Sequence, residues 1–100
     1  MRTKEIHILV WLQEWYKKQC DGDWEHLFGI KIYNIDNPGW RVVIDLLDTD
    51  LEDKIFEKMF IDHGDHSWIT CFVRDGKFEG AGDSNRLLEI LTIFKEWAES

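Results

Sequence analysis

A chain of 100 residues with 44% apolar content is long enough for one domain with its own core and too short for two. Twenty acidic against twelve basic residues leave a formal charge of −8, which opposes direct contact with nucleic-acid phosphates or anionic membranes and favours a partner protein with a basic surface. No apolar stretch approaches the ~20 residues of a membrane span, no signal peptide heads the chain, and Cys20 and Cys71 belong to no Cys-x-x-Cys pair, so zinc-ribbon and thioredoxin-type readings fall and a cytoplasmic protein with free thiols is expected.

From about Glu5 to Gln19, Ile8, Leu12, Trp15 and Tyr16 recur at helical spacing beside Trp11 and predict an amphipathic helix. Lys17 and Lys18 complement the dipole of its last turn, and Cys20-Asp-Gly-Asp23 ends it. Phe28 to Tyr33 alternates, with Phe28, Ile30 and Ile32 on one face. Asn37-Pro38-Gly39-Trp40 predicts a type II turn with glycine at its third position. Trp40, Val42, Ile44 and Leu46 then complete an antiparallel hairpin. Ile55 to Ile61 predicts a third strand of ambiguous inner face, and Trp68 to Arg74 a fourth with Ile69, Cys71 and Val73 together. Asp75-Gly76 is a two-residue hairpin signal leading to a short strand, Lys77 to Glu79. Gly80-Ala81-Gly82 reads as a turn, Asp83 as a helix N-cap, and Leu87, Leu91, Phe94 and Ala98 as the buried stripe of a helix from about Ser84 to Ala98.

These elements predict a single α+β domain over residues 1–100: an antiparallel meander of four to five strands with the N-terminal and C-terminal helices packed on one face. The opposite face carries Lys31, Tyr33, Arg41, Val43, Trp68, Thr70, Phe72 and Arg74, a mixture too aromatic for an ordinary solvated surface. It is a candidate contact surface; cover by the Leu47–Asp53 loop and a homodimer contact are the alternatives.

Chemistry-bearing residues gather without forming a catalytic or metal constellation, and no cofactor motif is present. Cys20 follows a helix C-terminus and precedes Asp21, Asp23 and Glu25, a setting that favours the neutral thiol over a nucleophilic thiolate. The same acids lack the rest of an EF-hand loop, so they read as a capping loop in which Trp24 plugs the edge of the core, or as exposed carboxylates for a partner. Asp62-His-Gly-Asp-His66 lacks a third metal ligand at a convincing spacing. Between Asp45 and Asp65 eight acids face two bases, either a solvated rim or a docking surface for a basic partner.

Trp11-Leu-Gln-Glu-Trp-Tyr16 with Cys20-Asp-Gly-Asp-Trp-Glu-His26, then Asp36-Asn-Pro-Gly-Trp40, then Asp75-Gly-Lys-Phe-Glu-Gly-Ala-Gly-Asp83 with a Leu-rich helix ending Phe94-Lys-Glu-Trp97, occur in an order and spacing that resemble the immunity protein 53 family of bacterial polymorphic toxin systems. Ser84 stands where the resemblance leads one to expect a proline, and residues 50–67 match least well. The resemblance implies a cytoplasmic antidote, without catalysis of its own, that binds and blocks a cognate toxin domain, of which nucleases with basic clefts are common examples. The contact residues expected on this basis are Asp21, Asp23, Trp24 and Glu25 in the first loop, with Tyr33, Trp68 and Phe72 on the open face. A small thiol enzyme of sulfurtransferase type using Cys20 and His26, and a structural homodimer, are the competing readings.

Overall fold

The computed structural model describes residues 3–100, with side chains described from His7 onward. Helix α1 (Thr3–Gln19) turns Ile8, Leu12 and Trp15 into the core, as their spacing requires. A single further turn, α2 (Trp24–Leu27), follows. Strands β1 (Ile30–Ile35) and β2 (Gly39–Asp45) form the expected hairpin. A thirteen-residue connection, 46–58, leads to the short β3 (Met59–Asp62), and β4 (Trp68–Arg74) and β5 (Lys77–Gly82) follow. Helix α3 (Leu87–Glu99) closes the chain.

All five strands are antiparallel, but their order is β1-β2-β5-β4-β3 and not the sequential order of a meander. The 46–58 connection carries the chain past β2 to the far edge, so that β5 returns to pair with β2 at the centre of the sheet. Leu46, Leu51 and Phe56 anchor that connection in the core, and Lys54 Nζ donates to Ser100 O (2.8 Å). Through Phe56 it therefore runs along the helix side, against the C-terminal ends of α1 and α3, and only its last residue, Lys58, reaches the opposite face, beside Phe72.

The inner face is built from Val42, Ile44, Ile69, Cys71 and Phe78, each 0% exposed. Phe78 and Phe94 meet with ring centroids 5.1 Å apart, and Trp15 stands edge-on to Phe94 at 5.2 Å. Two glycines are fixed by close approach. Gly80 lies between Val42 and Cys71 in the register, and a Cβ there would sit 2.5 Å from Ile90 Cγ2, so its missing side chain lets α3 rest on the sheet. Gly39 does not have the positive φ of a type II turn; the turn is 36–38, and Gly39 opens β2 where a Cβ would collide with Gly82 O. Asp75 and Gly76, with φ of 55° and 74°, make the two-residue hairpin turn as the sequence requires.

The stretch Gly80-Ala81-Gly82 is strand and not turn, because its glycines answer to helix packing. The third strand is correspondingly shorter than 55–61, and α3 begins at Leu87, later than Ser84. Asp83 is not the N-cap residue of α3. Its carboxylate instead accepts the backbone N–H groups of Trp68 (2.8 Å) and Asn85 (2.9 Å) and Nε of Arg86 (3.0 Å), tying the start of β4 to the approach of the helix. Those donors, Asn85 N–H foremost and then Trp68 N–H with Arg86, hold its pKa below the ordinary aspartate value.

Two outcomes follow from these contacts. Gly80→Ala is expected to destabilise the fold by about 1–3 kcal/mol through overpacking against Ile90, read as a lowered midpoint in urea. Asp83→Asn is expected to lower stability at about pH 7, with the gap to wild type closing as pH falls below about 4, the unfolded aspartate value, through the lower folded value; denaturation measured across that range checks it.

Candidate protein-binding face

Because side chains alternate across a strand, the residues pairing with Arg41 and Val43 point away from the helices. Tyr33, Arg41, Ala81, Thr70 and Phe60 form one row across all five strands, and Lys31, Val43, Glu79 and Phe72 form the next. Asp45, Lys77 and Arg74 lie at one end, Trp68 and Asp62 at the other. No helix or loop covers this outer face among the described residues. Tyr33 is 44% and Phe60 63% exposed.

Glu79 sits near the centre and is 9% exposed. Its carboxylate is paired with Arg41 and lies 3.7 Å from Arg74 Nη2, so the most enclosed charge of the face is compensated. Phe72 is flanked by Arg74 (4.9 Å from guanidinium carbon to ring centroid) and Lys58 (5.9 Å). This end of the face carries Lys31, Arg41, Lys58, Arg74 and Lys77 against Asp45 and Glu79, and is locally cationic in an acidic protein. The β3–β4 end is different. There Phe60 and Trp68 line a cavity of about 540 Å³ with Asn37, Asp62, Gly64, Asp65 and His66.

Four of the six tryptophans have an indole hydrogen-bond partner among the described residues. Trp11 donates to Glu99 Oε2, Trp24 to Leu47 O, Trp40 to Ser84 O and Trp97 to Ile55 O. The indoles of Trp15, in the core, and of Trp68, on this face, donate to no group among the described residues.

The first-loop candidates lie elsewhere. Trp24 is 3% exposed and packs against Trp15, Tyr16 and Phe28, so it belongs to the helix-side core and offers no ring to a partner. Asp21 accepts the N–H groups of Asp23 and Trp24 (3.0 Å each), and these, Trp24 first, hold its pKa down. Glu25 accepts those of Asp21 (3.0 Å) and Gly22 (2.9 Å). The two carboxylates therefore shape the loop. Asp23 is exposed, and its carboxylate makes no hydrogen bond among the described residues. The structure thus brings Tyr33, Trp68 and Phe72 onto one face and sets Trp24 apart from them. Phe60 and Glu79 were not among the sequence candidates. The alternation Lys77-x-Glu79-x-Ala81 was a signal for Glu79, whereas a four-residue β3 gives too few positions to fix the face of Phe60.

Cys20 is half-buried and donates its thiol to Tyr16 O (3.4 Å). No hydrogen bond joins it to His26 among the described residues. Cys71 is buried beneath the sheet, and burial, with Glu89 nearby, pushes its thiol up to about 12. No group of three His, Cys, Asp or Glu among the described residues is placed to hold a metal ion, and no described helix is long and apolar enough to cross a membrane.

A family model described as immunity protein 53 matches residues 9–99. No curated protein and no solved structure matches the chain.

Thiol labelling at neutral pH is expected to modify Cys20 slowly, because its thiol is half-buried and donates to Tyr16 O, and to leave Cys71 unmodified until the protein unfolds. Rapid labelling of Cys20, slowed by His26→Ala, would restore the thiol-enzyme reading.

Proposed function

The chain belongs to the immunity protein 53 family, and we propose that it neutralises a cognate bacterial toxin domain by binding it across the outer face of the sheet. The observation that carries this reading is that no described residue covers the outer face, which holds Tyr33, Phe60, Trp68 and Phe72, with Arg41 and Arg74 beside them. Tyrosine, tryptophan and arginine are the residue types that dominate binding energy at interfaces, and they do so in surroundings that exclude water. A five-stranded sheet holds them in fixed relative positions, so little conformational entropy is lost on binding.

The role is binding and not catalysis, and it is exercised in the cytoplasm. A toxin with a basic surface, as nuclease domains have, fits the long-range field of a chain at −8. Exposed Asp48, Asp50, Glu52, Asp53 and Glu57 in the 46–58 connection lie outside the sheet face and strengthen that attraction, speeding encounter. Contact itself is made by the aromatic face. The toxin occupies the face that a homodimer would use, so free protein is monomeric on this reading.

Cells producing the toxin domain encoded beside this gene are expected to survive with the wild-type chain and to lose protection with Tyr33→Ala/Phe72→Ala. Purified complexes should show a loss of at least about tenfold in affinity, about 1.4 kcal/mol, with circular dichroism and thermal midpoint nearly unchanged because neither ring supports the core. Full protection by the double variant would place the contact elsewhere, and a stable dimer in light scattering would favour the homodimer.

A further inference from the structure

The cavity at the β3–β4 end of the outer face, between the 36–38 turn and the 62–66 loop, has a chemistry of its own. Its aromatic walls are Phe60, 63% exposed, and Trp68, whose indole N–H has no partner among the described residues. Asp62, Asp65 and His66 complete the lining with Asn37 and Gly64, and no lysine or arginine is among the lining residues. Asp62 Oδ1 accepts Gly64 N–H (2.9 Å), which leaves its other oxygen for a ligand. Arg86 reaches the same loop at Ser67 Oγ (3.1 Å), but its guanidinium is held by Asp83 and Glu89 and does not neutralise the groove.

We propose that this groove receives an arginine side chain of the bound toxin. A guanidinium is planar, so it can lie on the indole face while its N–H groups reach a carboxylate. A lysine ammonium is a compact, strongly hydrated charge and gains less from a flat aromatic wall. An anionic group would meet Asp62 and Asp65, and an apolar one would desolvate them without a partner. The charge pattern of the face agrees: its other end holds Lys31, Arg41, Lys58, Arg74 and Lys77, so only the groove end suits a cation. The toxin is thereby oriented, with a basic region over the groove and a neutral or acidic region over Phe72. That the arginine belongs to a toxin rests on the proposed function; the groove's preference for guanidinium does not.

The test has two arms. In the first, N-acetyl-arginine amide is titrated into the ¹⁵N-labelled full chain, with the Trp68 indole N–H signal identified by Trp68→Phe. A saturable shift of that signal is expected, several-fold weaker in Asp62→Asn/Asp65→Asn and absent with N-acetyl-glutamine amide. No saturation, or equal binding by the variant, overturns the guanidinium site. In the second, the toxin domain is titrated with both chains, and the double variant is expected to bind at least about tenfold more weakly. Unchanged affinity there overturns the assignment to the toxin. If the wild-type chain binds no toxin at all, the proposed function fails, and the first arm still decides the groove.

Discussion

Phe78, at the centre of the sheet, touches Phe94, Phe56 and Trp97, and through Phe94 the contacts extend to Trp15 and Trp11, then from Trp15 to Trp24, Tyr16 and Phe28. Nine of the fourteen aromatic rings belong to this one network, eight of them in or against the core between the helices and one face of the sheet, with Tyr16 exposed at its margin. A network in which six of the ten ring pairs meet edge-to-face has little freedom to slide, because such pairs gain most at preferred angles and separations. It fixes where α3 lies, and Gly80 makes room for that position. Removing a buried member such as Phe78 or Phe94 is expected to cost about 3–5 kcal/mol, a sizeable share of the stability of a domain this small.

The one-sidedness of that core decides what remains for the surface. Trp40 closes the inner edge through Ser84, which leaves Tyr33, Phe60, Trp68 and Phe72 on the outer face. Their exposure is affordable only because the other rings already supply the core. Charge is partitioned as well. The outer face gathers five of the twelve bases, so the acidic excess is concentrated in loops and helices around it. Glu79 keeps the cationic end from repelling itself, since Arg41 and Arg74 converge on one carboxylate.

Local patterns were legible where they had enough residues to repeat. Ile8, Leu12 and Trp15 marked α1, Trp68 to Arg74 matched β4 residue for residue, and the side chains assigned to the outer face by alternation all lie on it. What failed depended on partners distant in sequence. Nothing local says that β2 pairs with β5, and Gly80 reads as loop by composition because its reason, Ile90, stands ten positions away. The first loop misled for a related cause. Asp21 and Glu25 resemble free carboxylates, but four backbone N–H groups in the same loop need acceptors, and once these are met Trp24 is turned inward. Tyr33, Trp68 and Phe72 were legible as surface candidates because strand alternation fixes their side without knowledge of the partner.

A sheet with one packed and one open face separates stability from recognition. Substitution of Tyr33 or Phe60 changes what the surface presents without opening a cavity, since neither ring belongs to the buried network. Substitution of Phe78 or Phe94 changes the platform itself. Glu79 is where the two meet, for it lies on the outer face yet is 9% exposed, and its loss would leave Arg41 and Arg74 unpaired beside the centre of the sheet. For a protein proposed to match one toxin among many, this places the adjustable positions at the margins, on β1, β3 and the Trp68 end of β4. The central strand β5 contributes Ala81 and the compensated Glu79, side chains suited to a flat floor. On the proposed function, specificity is a property of the two ends of the face, one aromatic and acidic, one cationic, and of the fixed distance that the sheet keeps between them.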